Sequence, residues 1–378
     1  MSAIKAVVVA CDMVTPYGWG TEACWNGLLS GKTALGPVDR FETRSFQTKN
    51  AGLIRELESF GDESPVMQML TPLLTKPSVR IPGDSGAILA TTNGEISILE
   101  KSVLDGKPGD ADGSRMDILL DKLMRLTGVR GPGIVVSATC ASSSAAVAQA
   151  AAMISGNECD CVLVMACDCV SEFIFAGFSS LMALDKDMAK PFDKGRRGLT
   201  IGEAAGFILM MSESRALRED RPIIGEVAGW GLTCDANHMT GPSRDGSGLA
   251  MAIHKSLKKA GISEDAAGSI SAHGTGTVYN DSMEMKAFKS VFKTPLPTYS
   301  IKGGIGHTMG AAGLLEVIIG FQTLHKKMVP PTVNVQNVDE EARGWVSAEP
   351  NPSDSLMTVS TNSGFGGVNC SLVLVRET

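Results

Sequence analysis

One cysteine stands where a strand pattern gives way to a helix pattern. Val135 and Val136 end a β-branched run, and Cys140 follows four residues later. The small residues of 141–152 then predict a closely packed helix. Free amides at a helix start stabilise a thiolate, which is the reactive form of cysteine. The pattern predicts a nucleophilic thiol at a strand-to-helix turn, and a core cysteine before an Ala-rich helix fits it equally well.

A second segment places an imidazole at a glycine-rich turn. Residues 271–277 read Ser-Ala-His-Gly-Thr-Gly-Thr, so a predicted strand ends on His273. The glycines permit close approach of a ligand to the backbone, and Thr275 and Thr277 offer hydroxyls that would hydrogen-bond an extended, amide-bearing chain. The alternative is a tight turn with a structural histidine.

A third segment combines a lysine, a second histidine and a carboxylate. Lys302 and His307 are five residues apart within the glycine-rich run 300–313, and Glu316 follows in a small-residue helix pattern. A carboxylate in an apolar helix needs a partner, and Lys302 is the candidate. The run lacks the Gly-Lys-Ser/Thr ending of a nucleotide-binding loop.

The last segment is a glycine turn near the C-terminus. Residues 361–369 read Thr-Asn-Ser-Gly-Phe-Gly-Gly-Val-Asn, with Phe365 at its centre. Its glycines expose backbone amides, and one of these amides together with that of Cys140 would form a two-donor oxyanion hole for a thioester carbonyl. The four segments supply a nucleophile, two imidazoles, a lysine–carboxylate pair and oxyanion donors, which is the set that covalent acyl transfer requires.

The elements that must position these groups follow an α/β pattern. Strands are predicted at 4–10, 86–91, 133–137, 160–167, 204–211, 223–230, 269–272, 297–300, 357–361 and 370–375. Helices are predicted at 142–155, 246–260, 281–293 and 310–327. Prolines interrupt 41–85, which we interpret as a cap or long loop. The order of elements repeats, so we predict two similar halves, 1–222 and 223–378.

Composition narrows the class of protein. The chain has 378 residues and a formal net charge of -7, which argues against nucleic acid as a partner. No apolar run approaches the roughly 20 residues that cross a bilayer, and the N-terminus leads into a strand pattern without a secretory signal. We therefore expect a cytoplasmic protein that is not bound to membrane. Nine cysteines, an odd number, indicate mainly reduced thiols.

Two Cys-X-Cys steps raise the question of a metal site. Cys159 and Cys161 precede the apolar run 162–165, and Cys167 and Cys169 follow it. These steps lack the two-residue spacers of common zinc sites, so the pattern favours a core strand and no metal is predicted.

An anionic partner would have to meet a local basic group. Arg125 and Arg130 precede the cysteine turn, and Arg196 and Arg197 lie in the loop 189–198. A solvated surface is the alternative for both groups.

The four segments, in this order, resemble those of the β-ketoacyl-[acyl-carrier-protein] synthases of the elongating, Cys-His-His type. These are decarboxylating condensing enzymes of fatty acid and polyketide synthesis. The resemblance extends from Thr15-Pro16-Tyr17-Gly18 to Asn369 and is densest from Cys140 onward. It implies a thiolase-like fold with αβαβα layers and two pseudo-symmetric halves, in which Cys140 of the first half faces His273 and His307 of the second.

The resemblance also assigns roles to residues. Cys140 matches the acyl-accepting nucleophile, His273 the histidine of the His-Gly-Thr-x-Thr motif, and His307 that of the Lys-x-x-x-x-His motif. Lys302 and Glu316 match a structural and electrostatic pair.

Further matches concern the substrate. Phe365 matches a gating phenylalanine whose amide completes the oxyanion hole, and Thr275 and Thr277 match the residues that bind phosphopantetheine. Segments 235–240 and 191–193 also resemble family signatures.

The implied reaction is a decarboxylative Claisen condensation. An acyl group passes from the phosphopantetheine of acyl carrier protein to Cys140, and malonyl-carrier protein then loses carbon dioxide and attacks the acyl thioester. His273 and His307 would be neutral, with Nε2 protons directed at the thioester carbonyl of the malonyl group. No metal or cofactor is implied beyond the phosphopantetheine of the carrier.

The resemblance leaves the assembly and the exact role open. The family is usually dimeric, so the chain would form a homodimer or a heterodimer with a chain-length-factor-like ketosynthase. A chain-length-controlling subunit is the alternative function, although such subunits typically lack the cysteine. Three other classes fit less well. A starter synthase has asparagine in place of His307, and a thiolase needs a second catalytic cysteine in the C-terminal glycine turn, whereas Cys370 lies past that turn on a strand. A thiol hydrolase has no use for the second histidine and Lys302.

Two departures from the family pattern affect substrate and partner. The glycine turn lacks a phenylalanine that commonly precedes Gly364, so the acyl length is not predicted. The segment 41–85 lacks the basic helix that many members present to the carrier protein. Docking is therefore expected to rest more on Arg125, Arg130, Arg196 and Arg197.

Overall fold

The protein is described by a computed structural model, which covers residues 4–58, 63–78 and 80–376. The strands are β1 (Ala6–Thr15), β2 (Gly18–Trp19), β3 (Gly36–Pro37), β4 (Asn50–Ala51), β5 (Gly86–Ala90), β6 (Gly133–Val136), β7 (Cys161–Asp168), β8 (Ala204–Ser212), β9 (Gly225–Cys234), β10 (Ile270–Ser271), β11 (Thr298–Tyr299), β12 (Met328–Val329), β13 (Asn351–Pro352), β14 (Met357–Ser363) and β15 (Val368–Val375). The α-helices are α1 (Thr21–Leu29), α2 (Pro65–Leu74), α3 (Ile96–Leu104), α4 (Met116–Thr127), α5 (Ser142–Ser155), α6 (Glu172–Ser180), α7 (Glu213–Arg218), α8 (Ser247–Ala260), α9 (Val278–Val291), α10 (Lys302–Ile305) and α11 (Ala312–Lys326).

The strand order repeats between the two halves of the chain. The first half runs β6-β5-β7-β8-β1 and the second runs β11-β10-β14-β15-β9, so equivalent strands occupy equivalent places. The halves meet where β1 and β9 pair antiparallel, with Val7 opposite Glu226 and Val8 opposite Gly225. The predicted α/β fold of two pseudo-symmetric halves is confirmed.

Three apolar cores separate the layers. Along β1, Val8 faces a central core that contains α5 and α11, whereas Val7 and Val9 face an outer core that contains α2 and α4. Helices α8 and α9 fill a second outer core against β10, β14 and β15. Because the inner strands are buried on both faces, they are apolar at almost every position. The layers are αβαβα.

The two central helices approach each other closely at their N-terminal ends. A Cβ on Gly313 of α11 would lie 2.0 Å from Oγ of Ser144 in α5, so only glycine fits there. The amide of Leu314 donates to Oγ of Ser143 at 2.9 Å. Small residues at this contact bring the start of α5, and with it Cys140, next to the start of α11.

The proline-interrupted region contains a helix that sequence reasoning missed. Pro65 opens α2 at the first helical position, where its missing N–H is no loss, and Ser64 caps the helix by accepting from the amide of Met67 at 3.3 Å. Pro72 is tolerated inside α2 because the helix is anchored by its buried apolar face. Across the described ranges, no helix has the length and apolar character needed to span a bilayer.

The chemistry-bearing segments all follow strand ends. Cys140 follows β6, His273 follows β10, Lys302 follows β11 and Phe365 follows β14. Strands β10, β11 and β14 run parallel, as do β5, β6 and β7, so the carboxyl ends within each group lie at one edge. This edge is where side chains from both halves converge.

Candidate active site

Cys140 lies at a strained turn between β6 and α5. Thr139 has φ of 50°, in the left-handed region that a β-branched residue rarely adopts. Its hydroxyl donates to the carbonyl oxygens of Ala138 and Phe365, each at 2.8 Å. The turn places the thiol just before the first residue of α5, as predicted.

Burial dominates the electrostatics of the thiol. The side chain is buried, and desolvation raises the pKa of Cys140 to about 11. The backbone amide of Phe365, the Lys302 ammonium and the amide of Cys140 itself oppose this rise in pKa, while Asp168 adds to it. The helix amides therefore do not yield a resting thiolate, and the thiol is protonated at neutral pH.

Three reactive groups meet at the bottom of one cavity. The Sγ of Cys140 and one ring nitrogen each of His273 and His307 lie within 4.8 Å of one another. The two imidazoles are nearly perpendicular, at 85°, with ring centroids 5.1 Å apart. The predicted meeting of a thiol from one half with two imidazoles from the other is what the structure contains.

The surroundings of His273 fix its tautomer. Nδ1 lies 3.3 Å from Nζ of Lys302 and 3.2 Å from Nδ2 of Asn362, and both of these groups are donors. Nδ1 must therefore accept, and the ring proton is on Nε2. Burial, then the charge of Lys302, holds the pKa of His273 well below its usual value, so the ring is neutral.

His307 has the same tautomer for a different reason. Its Nδ1 accepts from the amide of Met309 at 3.2 Å, which leaves the proton on Nε2. Nε2 is buried without a hydrogen-bond partner. Burial and Lys302 lower the pKa of His307 well below its usual value. An unpaired buried N–H is costly, so this donor is kept for a group that is not part of the chain.

Lys302 and Glu316 form the predicted pair. Both side chains are fully buried, and the ammonium contacts Oε1 of Glu316. The ammonium also donates to the carbonyl oxygen of His273 at 2.6 Å. Burial raises the pKa of Glu316, and the charge of Lys302 opposes that rise. The two opposite charges of the pair therefore balance each other, and the ammonium also orients His273.

The Cys-His-His group has ligand types that zinc accepts, but its neighbour disfavours a cation. The Lys302 ammonium lies beside His273 and would repel a metal ion at the adjacent ring nitrogen. Cys161, Cys167 and Cys169 are buried in and beside β7, and among the described residues these cysteines join no cluster of metal-ligand type.

Two networks of buried carboxylates support the site, and sequence reasoning gave neither a role. Glu284 accepts from the amides of His273 and Gly274, each at 2.7 Å, and burial raises the pKa of Glu284 to about 8. Asp168 accepts from Gly310 at 2.7 Å and from the hydroxyl of Thr91 at 2.8 Å. Asp168 thereby ties the turn that carries His307 to the loop after β5.

The glycine turn after β14 closes over the thiol. A Cβ on Gly364 would lie 2.2 Å from Oγ1 of Thr139 and 3.2 Å from the amide nitrogen of Cys140. This close approach brings the amide of Phe365 to the sulfur of Cys140, beside the amide of Cys140 itself. The Phe365 ring packs against Phe178, with centroids 6.0 Å apart.

A cavity of about 680 Å³ leads from the surface to these groups. Thr275 and Thr277 line it, and their hydroxyls are 2.9 Å apart. Arg197 and Arg244 also line it, and Arg244 lies over the ring of Tyr279. A cavity of this volume, with hydroxyl groups along its wall and Cys140 among its lining residues, can receive an extended chain that ends at Cys140.

The predicted docking arginines do not form one group. Arg197 is exposed at the cavity, but Arg196 is buried and pairs with Asp339 at 2.6 Å, so its assignment to a docking surface is corrected. Arg130 precedes β6 and Arg125 lies in the last turn of α4, at the end of β6 opposite to Cys140. Neither lines the cavity.

The fold and these groups define a thiolase-fold acyltransferase with a Cys-His-His centre. Residues 124–216 match the model of the β-ketoacyl synthase N-terminal domain, and residues 224–336 match that of the C-terminal domain. The chain belongs to the β-ketoacyl synthase family and is a condensing enzyme.

Relatives of this family align over nearly the whole chain. The 3-oxoacyl-[acyl-carrier-protein] synthase 2 of Vibrio cholerae is 29% identical and covers 100% of both chains. The chloroplastic 3-oxoacyl-[acyl-carrier-protein] synthase I of Hordeum vulgare is 30% identical over 98% of this chain and 88% of its own length. Among solved structures, the ishigamide ketosynthase/chain length factor is 28% identical, with a TM-score of 0.88 over 100% of both chains.

Proposed function

We propose that this chain is the catalytic subunit of an elongating synthase, which joins a Cys140-bound acyl group to a malonyl unit carried on acyl carrier protein. The observation that carries the proposal is the convergence of Sγ of Cys140 with ring nitrogens of two neutral imidazoles. A chain-length-controlling subunit would need neither the thiol nor the imidazoles. The presence of both groups supports a catalytic role.

Acylation is the first half-reaction. Sγ of Cys140 attacks the carbonyl carbon of the acyl thioester, the bond to the carrier thiol breaks, and the Sγ proton leaves with that thiol. The amides of Cys140 and Phe365 stabilise the oxyanion of the tetrahedral intermediate. The carrier thiol and Cys140 exchange one thioester for another, so no reductant or metal is needed.

Decarboxylation and condensation form the second half-reaction. The Nε2 protons of His273 and His307 bind the thioester oxygen of the malonyl group, and they stabilise the enolate that forms as carbon dioxide leaves. The enolate carbon then attacks the acyl carbonyl on Cys140. Cys140 leaves as a thiolate and takes up one proton. The high pKa of Cys140 makes that proton uptake complete at neutral pH.

We propose that the carrier protein docks over the mouth of the cavity. Arg197 and Arg244 supply positive charge there on a chain with net charge -7, and Leu181 and Met182 are exposed beside them. Thr275 and Thr277 would hydrogen-bond the amides of the phosphopantetheine arm, and no other cofactor is proposed.

Charge reversal tests this docking site. In Arg197→Glu and Arg244→Glu, we expect the KM for the carrier-bound substrate to rise about tenfold, with the rate on a pantetheine thioester that lacks the protein unchanged. Arg125→Glu is the matched control, since Arg125 is also exposed but lies at the other end of β6. An equal effect of all three variants would contradict the site.

We propose that the chain works as a homodimer in a reducing compartment such as the cytoplasm. Strand β6 is an edge of the main sheet, and its Ile134, Val135 and Val136 are only half-buried. An apolar edge of this kind favours pairing with another chain. Because this chain holds a complete catalytic group, a second copy is sufficient. All nine cysteines are free thiols, and Cys140 must stay reduced to react.

Two measurements test the proposed function and assembly. Purified protein with acyl- and malonyl-carrier protein should release a β-ketoacyl product, and light scattering should give about twice the chain mass of 39.6 kDa. If the purified protein is monomeric and inactive but gains activity with a chain-length-factor-like partner, the homodimer is wrong and the heterodimer is correct. Inactivity with every partner would overturn the function.

A further inference from the structure

The side chain of Asn362 lies buried between the nucleophile's helix and the imidazole of His273. Its amide nitrogen donates to Oε2 of Glu316 at 2.6 Å and lies 3.2 Å from Nδ1 of His273. Its amide oxygen contacts the hydroxyl of Ser144 in α5. One side chain therefore touches the acid of the buried pair, one imidazole and the helix that begins behind Cys140.

The orientation of this amide is determined by its neighbours. Glu316 accepts from Lys302, so it is a carboxylate and offers only acceptors. The Asn362 atom that faces it must be the NH₂ group, and the atom that faces Ser144 must be the oxygen. The Ser144 hydroxyl then donates. A flipped amide would set its oxygen against the carboxylate and is excluded on electrostatic grounds.

Asn362 supplies a dedicated donor to Nδ1 of His273. The Lys302 ammonium has three protons, and two of them go to Glu316 and to the carbonyl oxygen of His273. Its contact with Nδ1, at 3.3 Å, is the longest of its three. The second proton of the Asn362 amide points to the same Nδ1. Together the two donors exclude a proton from Nδ1 and keep it on Nε2.

We propose that Asn362 is a positioning residue for the condensation half-reaction. It holds His273 in the Nε2–H tautomer that binds the enolate oxygen, and through Ser144 it sets the distance between that imidazole and the start of α5. The acylation half-reaction uses the thiol and backbone amides and does not involve Nε2 of His273. Loss of the Asn362 amide should therefore separate the two half-reactions. The inference rests on the proposed function of the site.

The test measures the two half-reactions apart. Intact-mass spectrometry follows acyl loading of Cys140 from an acyl-carrier protein, and the loaded enzyme is then mixed with malonyl-carrier protein in a single turnover. For Asn362→Ala we expect loading within about threefold of wild type and condensation slower by about tenfold or more, the loss for one hydrogen bond in the transition state. Asn362→Leu, which keeps a similar size, loses the NH₂ donors and adds no charge beside Glu316, is the second variant, and we expect the same separation of the two half-reactions in it.

Thr361→Val is the matched control for a lost buried hydrogen bond. Thr361 precedes Asn362 in β14 and donates to the carbonyl oxygen of Ser271 at 3.3 Å, without contact to an imidazole. We expect the ratio of its acyl-loading rate to its condensation rate to equal the wild-type ratio. Equal loss of both half-reactions in the Asn362 variants, or no loss in either, would overturn the inference.

The tautomer of His273 can also be measured directly by NMR spectroscopy, which requires no catalytic turnover. Long-range ¹H–¹⁵N spectra of protein labelled at its five histidines report which ring nitrogen carries the proton. We expect Nε2–H at His273 in wild type and a mixture of tautomers in Asn362→Ala, with His273→Gln used to assign the signal. An unchanged tautomer would contradict the inference. If Asn362→Ala alters the tautomer but wild type itself does not condense, the proposed function is wrong while the effect of Asn362 on His273 stands.

Discussion

Nζ of Lys302 lies 2.6 Å from the carbonyl oxygen of His273 and 3.3 Å from Nδ1 of the same residue. The ammonium thus contacts both the backbone and the imidazole ring of His273, while the carboxylate of Glu316 balances its charge. This relationship makes the buried pair part of the site's geometry as well as of its stability.

Breaking this pair should destabilise the fold. Lys302→Met leaves Glu316 buried without its counter-charge, so we expect the free energy of unfolding to fall by about 3–5 kcal/mol. The double variant Lys302→Met, Glu316→Leu removes both charges and should recover at least half of that loss. Urea unfolding of the two single variants and the double variant gives the comparison. Additive losses would contradict a coupled ion pair.

The neutral imidazoles should make stability fall in acid. The folded-state pKa of His307 lies well below 6.5, so below pH 6.5 the unfolded chain binds a proton that the folded chain does not. Wild type should therefore lose stability relative to His307→Gln as pH falls from 6.5, by about 1.4 kcal/mol per pH unit. Glu284 contributes to the pH dependence of stability with the opposite sign, because burial raises its pKa to about 8. This contribution is present in both wild type and His307→Gln, so it cancels in the difference between them. A difference that does not change with pH would contradict the assigned protonation.

The thiol should be slow to alkylate. Because the pKa of Cys140 is about 11, the rate of iodoacetamide labelling should keep rising by about tenfold per pH unit up to at least pH 9.5. Peptide mass spectrometry in a Cys234→Ser background removes the signal of an exposed cysteine. A rate that levels off near neutral pH would mean a stabilised thiolate.

The closeness of the glycine turn to the thiol gives a test of the oxyanion donors. A methyl group at Gly364 clashes with Thr139, so Gly364→Ala should shift the amide of Phe365 and slow acylation by about a hundredfold. Gly366→Ala is the comparison for backbone strain alone, since a Cβ at Gly366 meets no neighbouring atom but its φ of 82° lies in the left-handed region that alanine rarely adopts. If both variants slow acylation equally, the backbone conformation of the turn controls the rate of acylation, and the role given to the contact between Gly364 and Thr139 is wrong.

The residues of the site could be predicted where local pattern determines them. Cys140, His273 and Lys302 each follow a strand, and a strand end is visible as a change of apolar periodicity. The two-half fold followed from the repeated order of such patterns. Helix α2 was missed because prolines mask helical periodicity, although Pro65 at a first helical position is compatible with it.

Other features depend on contacts that sequence separation hides. Asn362 gained its role from Ser144 and Glu316, and Arg196 lost its predicted role because Asp339 pairs with it from 143 residues away. Arg125 could have been placed correctly, because a residue before β6 must lie at the end of that strand opposite to Cys140.

Intact-mass spectrometry with acyl-carrier proteins of several chain lengths tests the central claim most directly. Wild type should gain the mass of one acyl group, Cys140→Ala should gain none, and addition of malonyl-carrier protein should remove the adduct and yield a β-ketoacyl product. The chain length that loads fastest would define the acyl preference. An adduct that persists in Cys140→Ala, or one that malonyl-carrier protein does not discharge, would contradict a condensing enzyme built on this thiol.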